Sequence, residues 1–100
     1  MSIPTSTISE RLQNLGIELP PASPPAAAYV MSAAIGSTVF LSGHIAKQHG
    51  KPWVGKLGLD MDTVSGKAAA RSIAIDLMAT LQSHLGSLDR VKRIVKVMGL

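Results

Sequence analysis

The stretch that decides the fold is AYVMSAAIGSTVFLSGHI, residues 28–45. Two apolar, strand-forming runs, 28–35 and 38–45, flank the dipeptide Gly36-Ser37. A two-residue connection containing glycine suits a tight turn that needs positive φ, so the runs are expected to pair as an antiparallel hairpin. The second run ends abruptly at Ser42-Gly43-His44. Ser42 and His44 are two apart on a strand and share a face, which raises a nucleophile-and-base reading. Such a pair also needs an orienting carboxylate and an oxyanion hole. Nothing in the sequence brings Asp60 or Asp62, the nearest acids that follow, to this point. The simpler reading has Ser42 satisfying a backbone group at the strand end, and no catalytic residue is assigned.

Downstream, the loop 50–58 is too rich in Gly and Lys for a long strand and is expected to add at most a short β segment around Trp53 and Val54. Asp62 can cap a helix over 63–84, which Gly86 would end. On this helix Ser65, Ser72, Asp76, Thr80 and Ser83 share one face. Ala70, Ala74, Leu77, Met78, Leu81 and Leu85 form the opposite stripe, the one expected to lie on the sheet. Asp89 is expected to open the next element, and residues 91–100 alternate as a third strand, Val91, Arg93, Val95 and Val97 against Lys92, Ile94, Lys96 and Met98.

Hairpin, helix and strand make a two-layer α/β (α+β) sandwich. The chain stops inside the last strand, which would leave a sheet edge or face uncovered. It therefore reads as the N-terminal part of a larger, C-terminally truncated domain. Upstream, Thr7-Ile8-Ser9-Glu10 fits a capping box for a short helix over 8–15, followed by Gly16 as a C′ residue. A proline-rich extended connector follows. Residues 1–27 are thus a helical and Pro-rich lead-in, and 28–100 the domain proper.

Composition narrows the function classes. At 46% apolar and 16% charged residues the chain is globular rather than disordered. Its aromatics are Tyr29, Phe40 and Trp53, so the core must be aliphatic, and so small a core favours oligomerisation. The net charge is +4, but the basic residues are scattered. Only Arg90, Lys92, Arg93 and Lys96 cluster, with no aromatic among them to stack on bases, so nucleic acid is not the expected partner. Without cysteine there is no disulfide framework, thiol catalysis or Cys-based zinc site. The N-terminus lacks the basic start and apolar run of a signal peptide, and no apolar run reaches the roughly 18 residues of a membrane span. A cytoplasmic protein without membrane contact is expected.

Other motifs are weak. His44, His49 and His84 lack metal-ligand spacing, and the glycines and lysines of residues 50–56 do not form a phosphate loop. The methionines read as fillers and Arg71 as a snorkelling surface residue. No metal or cofactor is expected.

Taken in order, Tyr29, Gly36-Ser37, "VFLSGHI", "GKPWVGKLGLDMDT", "KAAARSIAIDLMATLQSHLG" and "SLDRVKRIVKVMGL" resemble the RidA (YjgF/L-PSP endoribonuclease-like) family. The lead-in "ISERLQNLGIELPPASPPAAAYV" resembles its subgroup with an N-terminal helix and Pro-rich segment. The resemblance implies a chorismate-mutase-like sandwich assembled as a homotrimer with a cleft at each subunit interface. It also implies enamine/imine deaminase chemistry: hydrolysis of 2-aminoacrylate-type intermediates to a keto acid and ammonia, with no metal or organic cofactor. The alternative it carries is a non-catalytic, small-molecule or RNA-binding trimer of the L-PSP endoribonuclease or translation-inhibitor type. The ligand would be a small carboxylate. Tyr29, Ser42, Gly43 and His44 match cleft-lining positions, with His44 where the family usually has Gln. The family's carboxylate-gripping arginine and water-placing glutamate lie in a later segment absent from these 100 residues, so this stretch is expected to be inactive by itself.

Overall fold

The computed structural model describes residues 7–22, 24 and 30–99. Helix α1, Ile8–Asn14, begins at Thr7, whose hydroxyl accepts the Glu10 N–H at 3.1 Å. Strands β1, Ser32–Ile35, and β2, Thr38–Leu41, form the expected antiparallel hairpin, with Ser32 opposite Leu41 and Ile35 opposite Thr38. Gly36 takes φ of 58° while Ser37 keeps negative φ, the pattern of a II′ turn, which requires glycine first. The ladder is shorter than the runs 28–35 and 38–45. Residues 28 and 29 lie outside the described residues, and 42–45 leave the ladder after the Ser42 N–H donates to the Met31 carbonyl at 2.9 Å.

A second, smaller hairpin joins β3, Lys47–Gln48, to β4, Lys51–Pro52, across His49-Gly50, both at positive φ (54° and 77°). A short β segment does form, but earlier than expected: Trp53 and Val54 lie outside it. Helix α2, Thr63–Leu85, matches its expected bounds within a residue. The Asp62 carboxylate accepts the Ser65 N–H at 2.7 Å, and Gly86 closes the helix at φ of 83°. Accepting that N–H holds the Asp62 carboxyl below its ordinary range. Among the described residues, no helix is long and apolar enough to cross a membrane.

Three expectations change. First, residues 91–99 are no paired strand among the described residues: Val91 leaves a 3-10 turn (Leu88–Arg90) with extended backbone, φ −75° and ψ 127°, but no ladder follows. A strand needs a neighbour to take its hydrogen bonds, and alternation alone supplies none. The α/β class stands, as a helix with two separate two-stranded antiparallel sheets. Second, Asp89 does not open the new element; Ser87 caps the turn by accepting the Asp89 N–H at 3.1 Å. The Asp89 carboxylate instead accepts the Ser9 N–H in the first turn of α1, also at 3.1 Å, tying the lead-in helix to the domain. Anions at a helix N-terminus satisfy its orphan donors.

Third, the hydroxyl-bearing face of α2 is not simply turned to solvent. Ala69 and Thr80 are buried and Ser65, Ser72 and Asp76 half-buried, while Ser83 is exposed; on the stripe expected to face the sheet, Leu77, Met78, Leu81 and Leu85 are half-buried and Ala70 and Ala74 exposed. Short side chains let the strand layer approach closely. Their hydroxyls are not a penalty once bonded, and Ser72 donates to the Ala69 carbonyl at 2.7 Å. The buried apolar residues are only Ala46, Ala69, Ala79 and Leu88 among those described. The chain exposes 8125 Å², against about 5400 Å² for a compact monomer of this mass.

Candidate functional site

The candidate site is the end of β2, built on backbone rather than on ionisable side chains. Ser42 is pinned from both ends: its N–H donates to the Met31 carbonyl and its hydroxyl to the Val30 carbonyl. The hydroxyl thus does what the simpler sequence reading expected. The ring of His44 turns away from the Ser42 hydroxyl. Its Nδ1 lies 2.7 Å from the Ser42 carbonyl oxygen and its Nε2 2.7 Å from the Thr80 hydroxyl on α2. No Ser–His nucleophile pair exists here, because neither ring nitrogen addresses the hydroxyl.

Gly43, between them, is exposed at ordinary φ, and a Cβ built on it would meet nothing within 4 Å. Among the described residues its N–H has no hydrogen-bond partner. Among the described residues, neither a positive φ nor close packing at the Cβ position calls for glycine here. The exposed backbone at this strand end is open to an acceptor oxygen such as that of a carboxylate.

Of the four residues expected to line a cleft, Ser42, Gly43 and His44 are contiguous at this strand end, and Tyr29 lies outside the described residues. The other histidines do not join them: His84 shares its Nδ1 with the Ser32 hydroxyl at 2.8 Å, and His49 sits in the β3–β4 turn. Thr80, on the face opposite the stripe expected to lie on the sheet, is 3% exposed and holds His44. The signal that could have found it was its place in line with Ser65, Ser72 and Asp76, a small-residue face four turns long. Arg90 is occupied too, donating from Nη1 to the Leu85 carbonyl at 2.8 Å, a cap for the last turn of α2.

An open groove between α1 and α2, lined by Leu12, Gln13, Ile17, Leu19 and Gln82, shares no residue with the β2 end.

No protein-family model matches the chain. Protein TCP17 of Trypanosoma cruzi is 38% identical to it over 96 residues, covering 95% of the chain and 60% of that protein. A crystal structure of a candidate endoribonuclease from Shewanella oneidensis MR-1 superimposes with a TM-score of 0.82 at 32% identity, covering 89% of the chain and 60% of that structure. The chain thus spans about three-fifths of the length of both.

Proposed function

The chain is of the RidA (YjgF/L-PSP) type in sequence and fold, and from that premise we propose that the β2 end is one wall of a cleft that binds a small 2-imino or 2-keto acid. The reaction proposed for this cleft is hydrolysis of enamine/imine intermediates. In that reaction an enamine such as 2-aminoacrylate tautomerises to the imine, water adds to the imine carbon, and the carbinolamine expels ammonia to leave the keto acid. Atoms balance with water as the one co-reactant. The chain's own part is positioning: the Gly43 N–H donates to a substrate oxygen, Ser42 and His44 flank Gly43, and Tyr29 is the fourth residue proposed for the wall.

The observation that supports this reading is Gly43, which has open space at its Cβ position and, among the described residues, no partner for its N–H. The carboxylate-gripping arginine that the family resemblance implies matches no residue of this chain, and the opposite wall would come from a second subunit of a cytoplasmic homotrimer.

Titrating the ¹⁵N-labelled chain with pyruvate tests the wall. The expected result is weak, saturable movement of the Gly43 amide. Gly43→Ala should abolish it while leaving the thermal midpoint unchanged or slightly raised, since an unstrained alanine costs the fold nothing. A Gly43 amide that stays still in the wild type removes the site. Ammonia release from freshly generated 2-aminoacrylate reads the chemistry: the buffer rate is expected for these residues alone, and acceleration would correct the assignment of the arginine.

The description of the Shewanella structure as a candidate endoribonuclease gives a second reading, RNA binding. It predicts RNA affinity that falls steeply with salt; flat, negligible binding would eliminate it.

A further inference from the structure

We infer that His44 is a positioning residue: bridged to Thr80, it sets the backbone of Ser42 and Gly43 and does not itself touch the ligand. The inference rests on the proposed role of Gly43. A carbonyl oxygen can only accept, so the His44 nitrogen at 2.7 Å from the Ser42 carbonyl must carry the proton. A neutral ring is then the Nδ1–H tautomer, and its Nε2 lone pair accepts the Thr80 hydroxyl. Both nitrogens are consumed, leaving none for a ligand.

The Nδ1–H···O=C bond closes a ring across Gly43, the residue with the most backbone freedom to lose. Without that closure the Gly43 N–H would sample many directions; with it, the donor has one. The far end of the clamp is firm, because Thr80 is 3% exposed on the inward face of a 23-residue helix. One turn further along α2, His84 meets the Ser32 hydroxyl at the start of β1. Residues 80 and 84 therefore tie α2 to the segment just after β2 and to the first residue of β1 through two histidine–hydroxyl bridges.

Imidazole ¹⁵N spectra of the full chain, taken where the ring is neutral, test the clamp. The expected spectrum shows His44 as the Nδ1–H tautomer, the minor form of free histidine. Thr80→Val keeps the shape and deletes the hydroxyl; it should shift the His44 Nε2 and Gly43 amide signals and weaken pyruvate binding roughly five- to tenfold. Thr80→Ser should restore both. If Thr80→Val does not fold, His44→Phe compared with His44→Gln asks the same question, since glutamine keeps a donor and an acceptor and phenylalanine has neither. A His44 ring in the Nε2–H form overturns the inference, as do unmoved Nε2 and Gly43 signals in Thr80→Val. The ring and amide signals are read without ligand, so failure of pyruvate to bind the wild type sinks the functional reading alone.

Discussion

Two neighbouring regions of the chain treat their side chains in opposite ways. Where α2 runs into the 3-10 turn, Ala79, Thr80 and Leu88 are all but sealed, at 5, 3 and 2% exposed. A few residues on, Ile94, Val95 and Val97 are about three-quarters exposed, at 77, 73 and 77%. These three exposed side chains are large and apolar, and the backbone of their segment leaves the turn extended. The difference is supplied by neighbours. The first region has the hairpin, α1 and the turn's own cap around it, whereas residues 91–99 have no strand beside them among the described residues. Burial follows available contact, and hydropathy only says which contacts would be favourable.

The largest expected effect falls on the sealed side. Leu88→Ala should cost about 2–5 kcal/mol, read as a fall in the urea midpoint; a loss under ~1 kcal/mol would show that this junction is not the centre of the fold.

A smaller effect should follow pH through Asp62, at the start of the same helix. Its folded-state carboxyl lies below the ordinary value, so its contribution is full above the unfolded pKa, about 4, and is lost as pH falls through the lowered folded value. Thermal midpoints should therefore drop faster below that range in the wild type than in Asp62→Asn, which caps without titrating. Parallel curves would detach the cap from helix stability.

The smallest effect belongs to the exposed side. Val95→Ser with Val97→Ser should change stability by no more than about 0.5 kcal/mol per site if these side chains meet only solvent. A larger loss, accompanied by a change in sedimentation, would mean that the segment pairs across an assembly and that the comparison ends at the subunit boundary.

Much of the local architecture was legible in the residues. Thr7, Asp62 and Gly86 mark their helix ends, and Gly36-Ser37 places the hairpin turn, because caps and tight turns are satisfied within a few residues of themselves. The ordered motifs from residue 28 onward were enough to place the chain among relatives, and Ser42-Gly43-His44 was legible as a strand end of interest. The burial of Thr80 was not. It lies on a face that reads as solvated when the helix is considered alone, and its hydroxyl finds a partner in His44, 36 residues away in sequence. The third strand was misread for the converse reason: its pattern is sound, but a ladder needs a second chain segment. The division is physical. A helix closes its hydrogen bonds within its own sequence, so the residues of this chain determine where α1 and α2 begin and end. Which face is buried, which strand is paired and where the Gly43 N–H points depend on partners distant in sequence, and those only the tertiary structure decided.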